Sequence, residues 1–271
     1  MTFSAKDMIK QRKSVRTFDG KPLSDADRKS LEAFVSSMDN PFGVPVEFRL
    51  LDAKDNRLSS PVIIGEAAYL AAKVKRVEHF EIAYGYSFEK ACLYARSLGI
   101  GTVMLAASLS RSTFENAMNV QDDEVLPTAS PVGYPAKKRS IRENLMRKGI
   151  KADERIPFEE LFYYGSFGSA LKEENAGIFA QALEMTRLAP SAANKQPWRA
   201  IADGNKVHFY EQKSMKDSPL GDIQKVDIGI ALAHFDLTMS ENSMSGDFVF
   251  ADPGITVPEN VYYIVTYERK A

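Results

Sequence analysis

The sequence is poor in the residues that most often announce chemistry. It has one cysteine, Cys92, one tryptophan, Trp198, and three histidines in 271 residues. A single cysteine excludes an intramolecular disulfide and any multi-cysteine metal centre. Because Cys92 falls in the apolar pattern Phe88, Ala91, Cys92, Ala95, it reads as a small buried hydrophobe and not as a nucleophile. His79, His208 and His234 are scattered without partners for a metal site or a catalytic triad, so each reads as structural. No excess charge of either sign is present: 35 Lys+Arg stand against 36 Asp+Glu, a net charge of -1. Bulk charge therefore gives no signal of nucleic acid or an anionic membrane surface as a partner. No apolar run approaches the length of a membrane span, and the first residues carry no apolar signal core, so the cytosol is the expected compartment. A dinucleotide fingerprint is missing too. Gly99-Ile100-Gly101 lacks its third glycine and precedes a strand, where a Rossmann motif would follow one.

What is present is an ordinary globular composition, 44% hydrophobic and 26% charged. Ser4 and Asp7 have the spacing of a helix start, as does Ser24 after Pro22. Helical stripes are expected through Leu31, Phe34, Val35 and Met38, from Tyr84 to Leu98, over Ser112 to Met118, and from Ile178 to Leu188, with a short one near Pro157. Strands are expected over Val46 to Leu51, Pro61 to Gly65 continuing through Ala67 to Ala72, Thr102 to Ala107, and Arg199 to Asp203, with a strand and turn at Ser130 to Pro135. The charged stretch from Lys137 to Arg155 reads as an exposed segment.

Two stretches concentrate polar chemistry. Arg12-Lys13-Ser14-Val15-Arg16 places Arg12, Ser14 and Arg16 on one side of an extended chain, an arrangement suited to a phosphate. The alternative is a solvated basic segment. Ala189-Pro190-Ser191-Ala192-Ala193-Asn194-Lys195-Gln196-Pro197-Trp198 lies between a helix and a strand, and Pro190 cannot continue the helix. Ser191 and Asn194 can hold irregular backbone or face a ligand.

The second half of the chain replays the first. Asn194 stands 154 positions after Asn40, each opening a loop that leads into a strand; Gly229 stands 144 after Gly85, and Gly246 stands 145 after Gly101. Two copies of one α+β unit are expected to pack about a pseudo-two-fold axis, as identical subunits would. The halves differ in chemistry, since only the first has the Arg-Lys-Ser-Val-Arg segment and only the second has Pro-Ser-x-x-Asn. One site per chain is the expectation.

At these residues the sequence resembles the FMN-dependent nitroreductase family, and specifically the members with two family-like halves fused in one chain. The resemblance rests on Arg12 to Phe18, Ala189 to Trp198, Ser97-Leu98-Gly99-Ile100-Gly101-Thr102 and Val132-Gly133-Tyr134-Pro135. It implies an α+β, nitroreductase-like fold: an internally duplicated pseudo-dimer with central mixed or antiparallel sheets flanked by helices. The halves would be residues 1–160 and 161–271, intertwined as one folding unit, in a monomer or a homodimer. By the same resemblance Arg12 and Arg16 bind the FMN phosphate and ribityl oxygens, Ser14 donates to them, and Lys13 meets the ring edge. Pro190, Ser191 and Ala192 line the ring, Asn194 bonds its pyrimidine edge or the ribityl chain, and Gln196 is a further candidate. The backbone at Leu105, Ala106 and Ala107 corresponds to the region that faces flavin N5, where the family often carries glycine. Arg155 is the match for a late phosphate-binding base, with Lys137, Lys138, Arg139 and Arg142 in competition.

The implied function is an FMN-dependent oxidoreductase. Hydride passes from NADH or NADPH through flavin N5 to a small-molecule acceptor such as a nitroaromatic or quinone, with no catalytic side chain required. Two rivals remain at this level. One is an FMN-binding storage or sensing protein with little turnover; the other is a structural scaffold that has lost the cofactor. Phe42, Tyr69, Tyr84, Tyr86, Phe162, Tyr163 and Tyr164 are candidates for a substrate wall, with core packing expected for most.

Overall fold

A computed structural model describes residues 3–270. The chain opens with helix α1 (Ala5–Gln11), whose N-cap Ser4 accepts from the Asp7 N–H. The next residues run extended and are stitched to other segments by the bonds Val15 N–H to Thr102 O (3.0 Å) and Phe18 N–H to Ile64 O (2.8 Å). Helix α2 (Asp25–Ser36) follows its Ser24 cap. Then come β1 (Val46–Asp52), β2 (Ala68–Lys75), α3 (Phe80–Ser97), β3 (Gly101–Thr102), α4 (Arg111–Met118), β4 (Glu124–Val125), β5 (Ala129–Gly133) and α5 (Ile141–Gly149). The remainder holds α6 (Phe158–Leu161), β6 (Phe162–Tyr164), β7 (Ser166–Ala170), α7 (Ala180–Arg187), β8 (Trp198–Asp203), β9 (Lys206–Gln212), α8 (Ile223–Glu241), β10 (Gly246–Val249) and β11 (Val261–Arg269).

One sheet has the order β1-β2-β5-β3, with β4 also paired to β2; the other has the order β10-β11-β9-β8-β6-β7. Read from its other edge, the second sheet contains β8-β9-β11-β10, the same antiparallel path as β1-β2-β5-β3. The α3 connection from β2 towards β3 has its counterpart in α8, between β9 and β10. The fold is therefore an α+β duplication, and the second copy carries an extra β6-β7 hairpin whose β6 runs parallel to β8.

The two long helices cross at glycine. A Cβ on Gly85 would stand 2.0 Å from Val226 O, and one on Gly229 would stand 2.2 Å from Ile82 O. Each glycine thus meets the carbonyl of the residue three places before the other, a reciprocal contact of the kind two identical subunits make across a two-fold axis. The backbones can approach this closely because neither glycine has a side chain. Around the crossing, Trp198, Phe209, Phe235 and Tyr267 fill the core of the second sheet, and Leu31, Tyr84, Phe88 and Val132 fill that of the first.

Three expectations are corrected. The strand expected over Thr102–Ala107 ends at Thr102, because the Val103 N–H turns to the Ser130 hydroxyl (3.0 Å) and only Leu105 regains a bridge, to Ala129. Pro61–Gly65 is not a strand leading into β2: Pro61 has no N–H, Gly65 sits at φ +78, and only Ile64 is bridged, to Thr17. The stretch from Lys137 to Arg155 is not uniformly exposed. It contains α5, capped by Ser140 on the Glu143 N–H, and buries Glu143 and Arg147.

Candidate functional site

A cleft of about 920 Å³ opens where the two halves meet. The first half contributes Arg12, Lys13, Ser14 and Arg16 from the extended segment and Leu105, Ala106 and Ala107 from the loop after β3. The second contributes Pro190, Ser191, Ala192 and Asn194, together with Val226, Asp227 and Ile230 from the start of α8. Arg147 and Arg155 close it from the α5 side. Residues more than 170 positions apart in sequence are brought together because α3 and α8 pack so tightly.

The cations of the cleft are unequally compensated. Arg12 Nε meets Glu89 at 3.1 Å, inside the protein, and Glu89 also receives His234 Nε2 at 2.9 Å. The buried Arg16 side chain leaves Nε and Nη1 without a partner among the described residues. Its one nearby carboxylate, Glu143, is engaged by the Thr17 hydroxyl (2.8 Å) and by the Arg16 backbone N–H (3.3 Å). Burial and the charges of Arg147 and Arg12 lower the Arg16 pKa, against the opposing pull of Glu143. Arg155 is lowered likewise, by burial first and then by Arg12 and Arg187. Its Nη1 donates to Ala152 O, Glu154 O and Asn194 Oδ1, while its Nε has no partner among the described residues. Buried guanidinium groups under mutual repulsion, with open donors, form a site that an anion would stabilise.

The facing wall is backbone held under strain. Ala193, Asn194 and Gln196 all take positive φ, at 48, 56 and 49 degrees. For an alanine that region costs about 1–2 kcal/mol, and such residues persist only where their surroundings fix them. Here the Gln196 N–H donates to the Ser191 hydroxyl (2.8 Å), and Asn194 Nδ2 donates to Lys151 O and Glu154 O. The Asn194 amide thus spends its polar atoms on the 151–155 loop. Gln196 is buried away from the cleft, its Oε1 accepting from the Ile156 N–H (3.0 Å). Trp198 is wholly in the core. The backbone N–H groups of Ala106 and Ala107 have no partner among the described residues, while Ala106 O accepts from Arg111.

Other candidates fall elsewhere. Lys137, Lys138 and Arg139 do not line the cleft, and Arg142 donates to Pro61 O instead. Of the aromatic candidates none lines it, and Tyr69, Tyr84, Tyr86 and Phe162 are core residues. His234 bridges Met185 O and Glu89, and His208 meets Thr266. No group of three or more His, Cys, Asp or Glu side chains suited to a metal occurs among the described residues, and no helix of theirs is long and apolar enough to cross a membrane.

Sequence reasoning missed Arg147 and Asp227. The signal for Arg147 was a Ser140-x-x-Glu143 capping box with Arg147 four residues on, on the same helix face. Asp227 lies between Val226 and Ile228 on α8; both its oxygens lie 3.0 Å from the Ala192 N–H, so it pins the Pro-Ser-Ala wall. Burial raises its pKa well above the ordinary range, against the Ala192 bond, and the charges of Asp222 and Glu211 add to that.

Glu211 completes this acidic group and carries a measurable consequence. It is 1% exposed, and neither carboxylate oxygen has a hydrogen-bond partner among the described residues. Burial first, then the charge of Asp222, push its pKa from 4.5 up to about 7, against the opposing charges of Lys213 and Lys225. The folded state therefore binds this proton more tightly than the unfolded chain does, and stability falls as pH rises from 4.5 to about 7. Glu211→Gln should flatten that slope and stabilise the protein by up to about 3 kcal/mol at pH 8, with little gain at pH 4.5. Urea denaturation across this range reads it; parallel curves for variant and wild type would refute the assignment.

Comparison with known proteins comes to the same fold. Residues 4–239 match the family model described as "Putative TM nitroreductase". A structure titled as a "putative nitroreductase" from Thermotoga maritima MSB8 superposes with a TM-score of 0.65 at 20% identity, over 99% of this chain and 94% of that one. A structure titled as an oxidoreductase containing FMN superposes with a TM-score of 0.50 at 12% identity, over 62% of this chain and 93% of that one. Among curated proteins none matches.

Proposed function

Since the chain belongs to the nitroreductase family matched over residues 4–239, we propose that it is an FMN-dependent oxidoreductase. It would draw on NADH or NADPH and act on a small nitroaromatic, quinone or similar acceptor in the cytosol. In this reading the halves, residues 1–160 and 161–271, form one folding unit with a single flavin site between them.

The observation that carries the proposal is Arg16. Two of its buried guanidinium nitrogens lack a partner among the described residues at the wall of a 920 Å³ cleft, and burial with neighbouring arginines disfavours its charge. The monoanionic to dianionic phosphate of FMN answers that demand. Arg12, Ser14 and Arg155 would share the phosphate and ribityl oxygens, and Lys13 would reach the ring edge. Pro190, Ser191 and Ala192 would form the ring's wall, held in place through the Asp227 bond to Ala192. The open N–H groups of Ala106 and Ala107 would face the reacting edge after Leu105. When bound, FMN supplies the hydride relay between the nicotinamide and the acceptor. The protein's part is to orient the ring, to hold the phosphate and to keep the wall rigid. Asn194 and Gln196 act in this scheme by bracing the loop, since their polar atoms bond within it or to residues 151–156.

Arg16→Ala should weaken FMN binding by about 1.5–3 kcal/mol, roughly ten- to hundredfold in Kd. Flavin fluorescence quenching on titration measures it, and equal affinities would remove Arg16 from the site. Turnover is read as NADPH or NADH oxidation with menadione or nitrofurazone. A second reading, FMN storage or sensing, is favoured by one feature: alanines at 106 and 107, where the resembled family often has glycine. A protein that binds FMN but is never bleached anaerobically by either nicotinamide would establish storage over turnover.

A further inference from the structure

The segment from Lys10 to Ser14 has a second side. Where one side walls the cleft, the other, together with the end of α3 and residues 135–144, lines a second, open cavity of about 930 Å³. Its lining is unevenly charged. Arg12 is paired to Glu89 and Arg139 to Glu143 (3.6 Å). Lys10, Lys13, Arg96, Lys137 and Lys138 line it with no carboxylate within ion-pair distance among the described residues. Arg96 is held by its Nη2 bond to Gln11 Oε1 (3.3 Å), and its Nε is buried without a partner among the described residues. Glu143, the one acid on the lining among the described residues, is already committed to Thr17, the Arg16 N–H and Arg139.

We propose that this cavity binds a compound with two or more closely spaced phosphates, recognised through the phosphates alone. Five uncompensated cations around one concave space focus a positive field that draws an anion in. One phosphate carries only about −1.5 to −2 charges near neutral pH, too little to balance them, whereas linked phosphates bring enough into one volume. Lysine ammonium groups suit phosphate as compact point charges on mobile stems. Among the described residues no aromatic side chain lines the cavity, so they offer no platform for stacking a base. The linked phosphates have two sources: a free inorganic polyphosphate, or the phosphate groups of a dinucleotide that enters from the neighbouring cleft, with which the cavity shares Lys10, Arg12, Lys13 and Ser14. The proposal does not rest on the flavin reading, because Arg96, Lys137 and Lys138 line only this cavity.

The experiment is calorimetric titration of the full chain, with and without FMN, using tripolyphosphate at constant ionic strength. Saturable binding is expected, weakened at least tenfold in Lys137→Glu/Lys138→Glu and unchanged in Lys216→Glu, whose lysine lines only the flavin cleft. Lys137 and Lys138 are exposed, so the double variant should fold. Its FMN affinity, read by flavin fluorescence, should match wild type, which separates this site's failure from failure of the flavin site. Competition between NADPH and tripolyphosphate in wild type, lost in the double variant, assigns the site to a dinucleotide; tripolyphosphate binding that NADPH leaves untouched assigns it to free polyphosphate. No saturable binding, a double variant that binds like wild type, or an equal loss in Lys216→Glu would overturn the proposal.

Discussion

Gly85→Ala should leave the chain unable to hold its native fold. The added methyl would lie 2.0 Å from Val226 O and 2.9 Å from Val226 C, both backbone atoms, which no rotamer change can clear. Relief requires α3 and α8 to move apart along their whole crossing. That opens both cores at once, because Tyr84 and Phe88 on one helix and Ile228 and Phe235 on the other pack into different sheets. Overpacking a core ordinarily costs about 1–3 kcal/mol, and a clash against fixed backbone belongs at or beyond the upper end. A loss of more than about 3 kcal/mol in denaturant unfolding, or insoluble expression, is the expected result. Gly229→Ala should behave alike, since its methyl would stand 2.2 Å from Ile82 O. Gly149→Ala is the control: it ends α5, and nothing lies within 4 Å of the added carbon. That change should be neutral or stabilising by a few tenths of a kcal/mol. A Gly85→Ala protein as stable as the control would contradict the crossing geometry.

The glycine pair also shows what kind of information the sequence carried. Gly85 and Gly229 were visible as matching positions in two weakly similar halves, and the reciprocal contact gives the physical reason for the match. Helix starts at Ser4 and Ser24 were legible because capping is local chemistry, decided within three residues. So was the gathering of Arg12 to Arg16 with Pro190 to Asn194, through their resemblance to a known pair of segments. What stayed hidden depends on distant partners. Nothing near Thr102 says that the next N–H will leave the ladder for the Ser130 hydroxyl. The density of charge over residues 137–155 concealed α5, because Glu143 and Arg147 are buried by their bonds to Thr17 and Asp153 and not by apolar character. Asn194 carried the right motif, yet its amide bonds to the 151–155 loop, a contact that spacing does not encode. Asp227 and Glu89 sit among apolar residues of α8 and α3, a context that carries no sign of a partner, and their bonds to the Ala192 N–H and to Arg12 hold the two walls of the cleft.

Glu89 should be the more costly of those two to remove. It has no exposed surface, lies on α3, and joins Arg12 Nε at 3.1 Å to His234 Nε2 on α8 at 2.9 Å. A buried carboxylate of this kind adds little net stability over an apolar substitute, but deleting it alone leaves its partners buried and uncompensated. Glu89→Ala should therefore destabilise the protein by about 3–5 kcal/mol. Glu89→Gln should cost less, since the amide oxygen can still accept from either partner while the charge is lost. The cost should shrink when Arg12 is removed as well. In a cycle of Glu89→Ala, Arg12→Ala and the double variant, a coupling of at least about 1 kcal/mol is expected, because the double variant no longer strands a guanidinium in the interior. The same change should reach the cleft: an Arg12 without Glu89 is no longer anchored from behind, so FMN affinity should fall even though Glu89 is absent from the cleft lining. Additive unfolding energies would show that Arg12 and Glu89 act independently, and unchanged FMN affinity would show that Arg12 does not need its anchor.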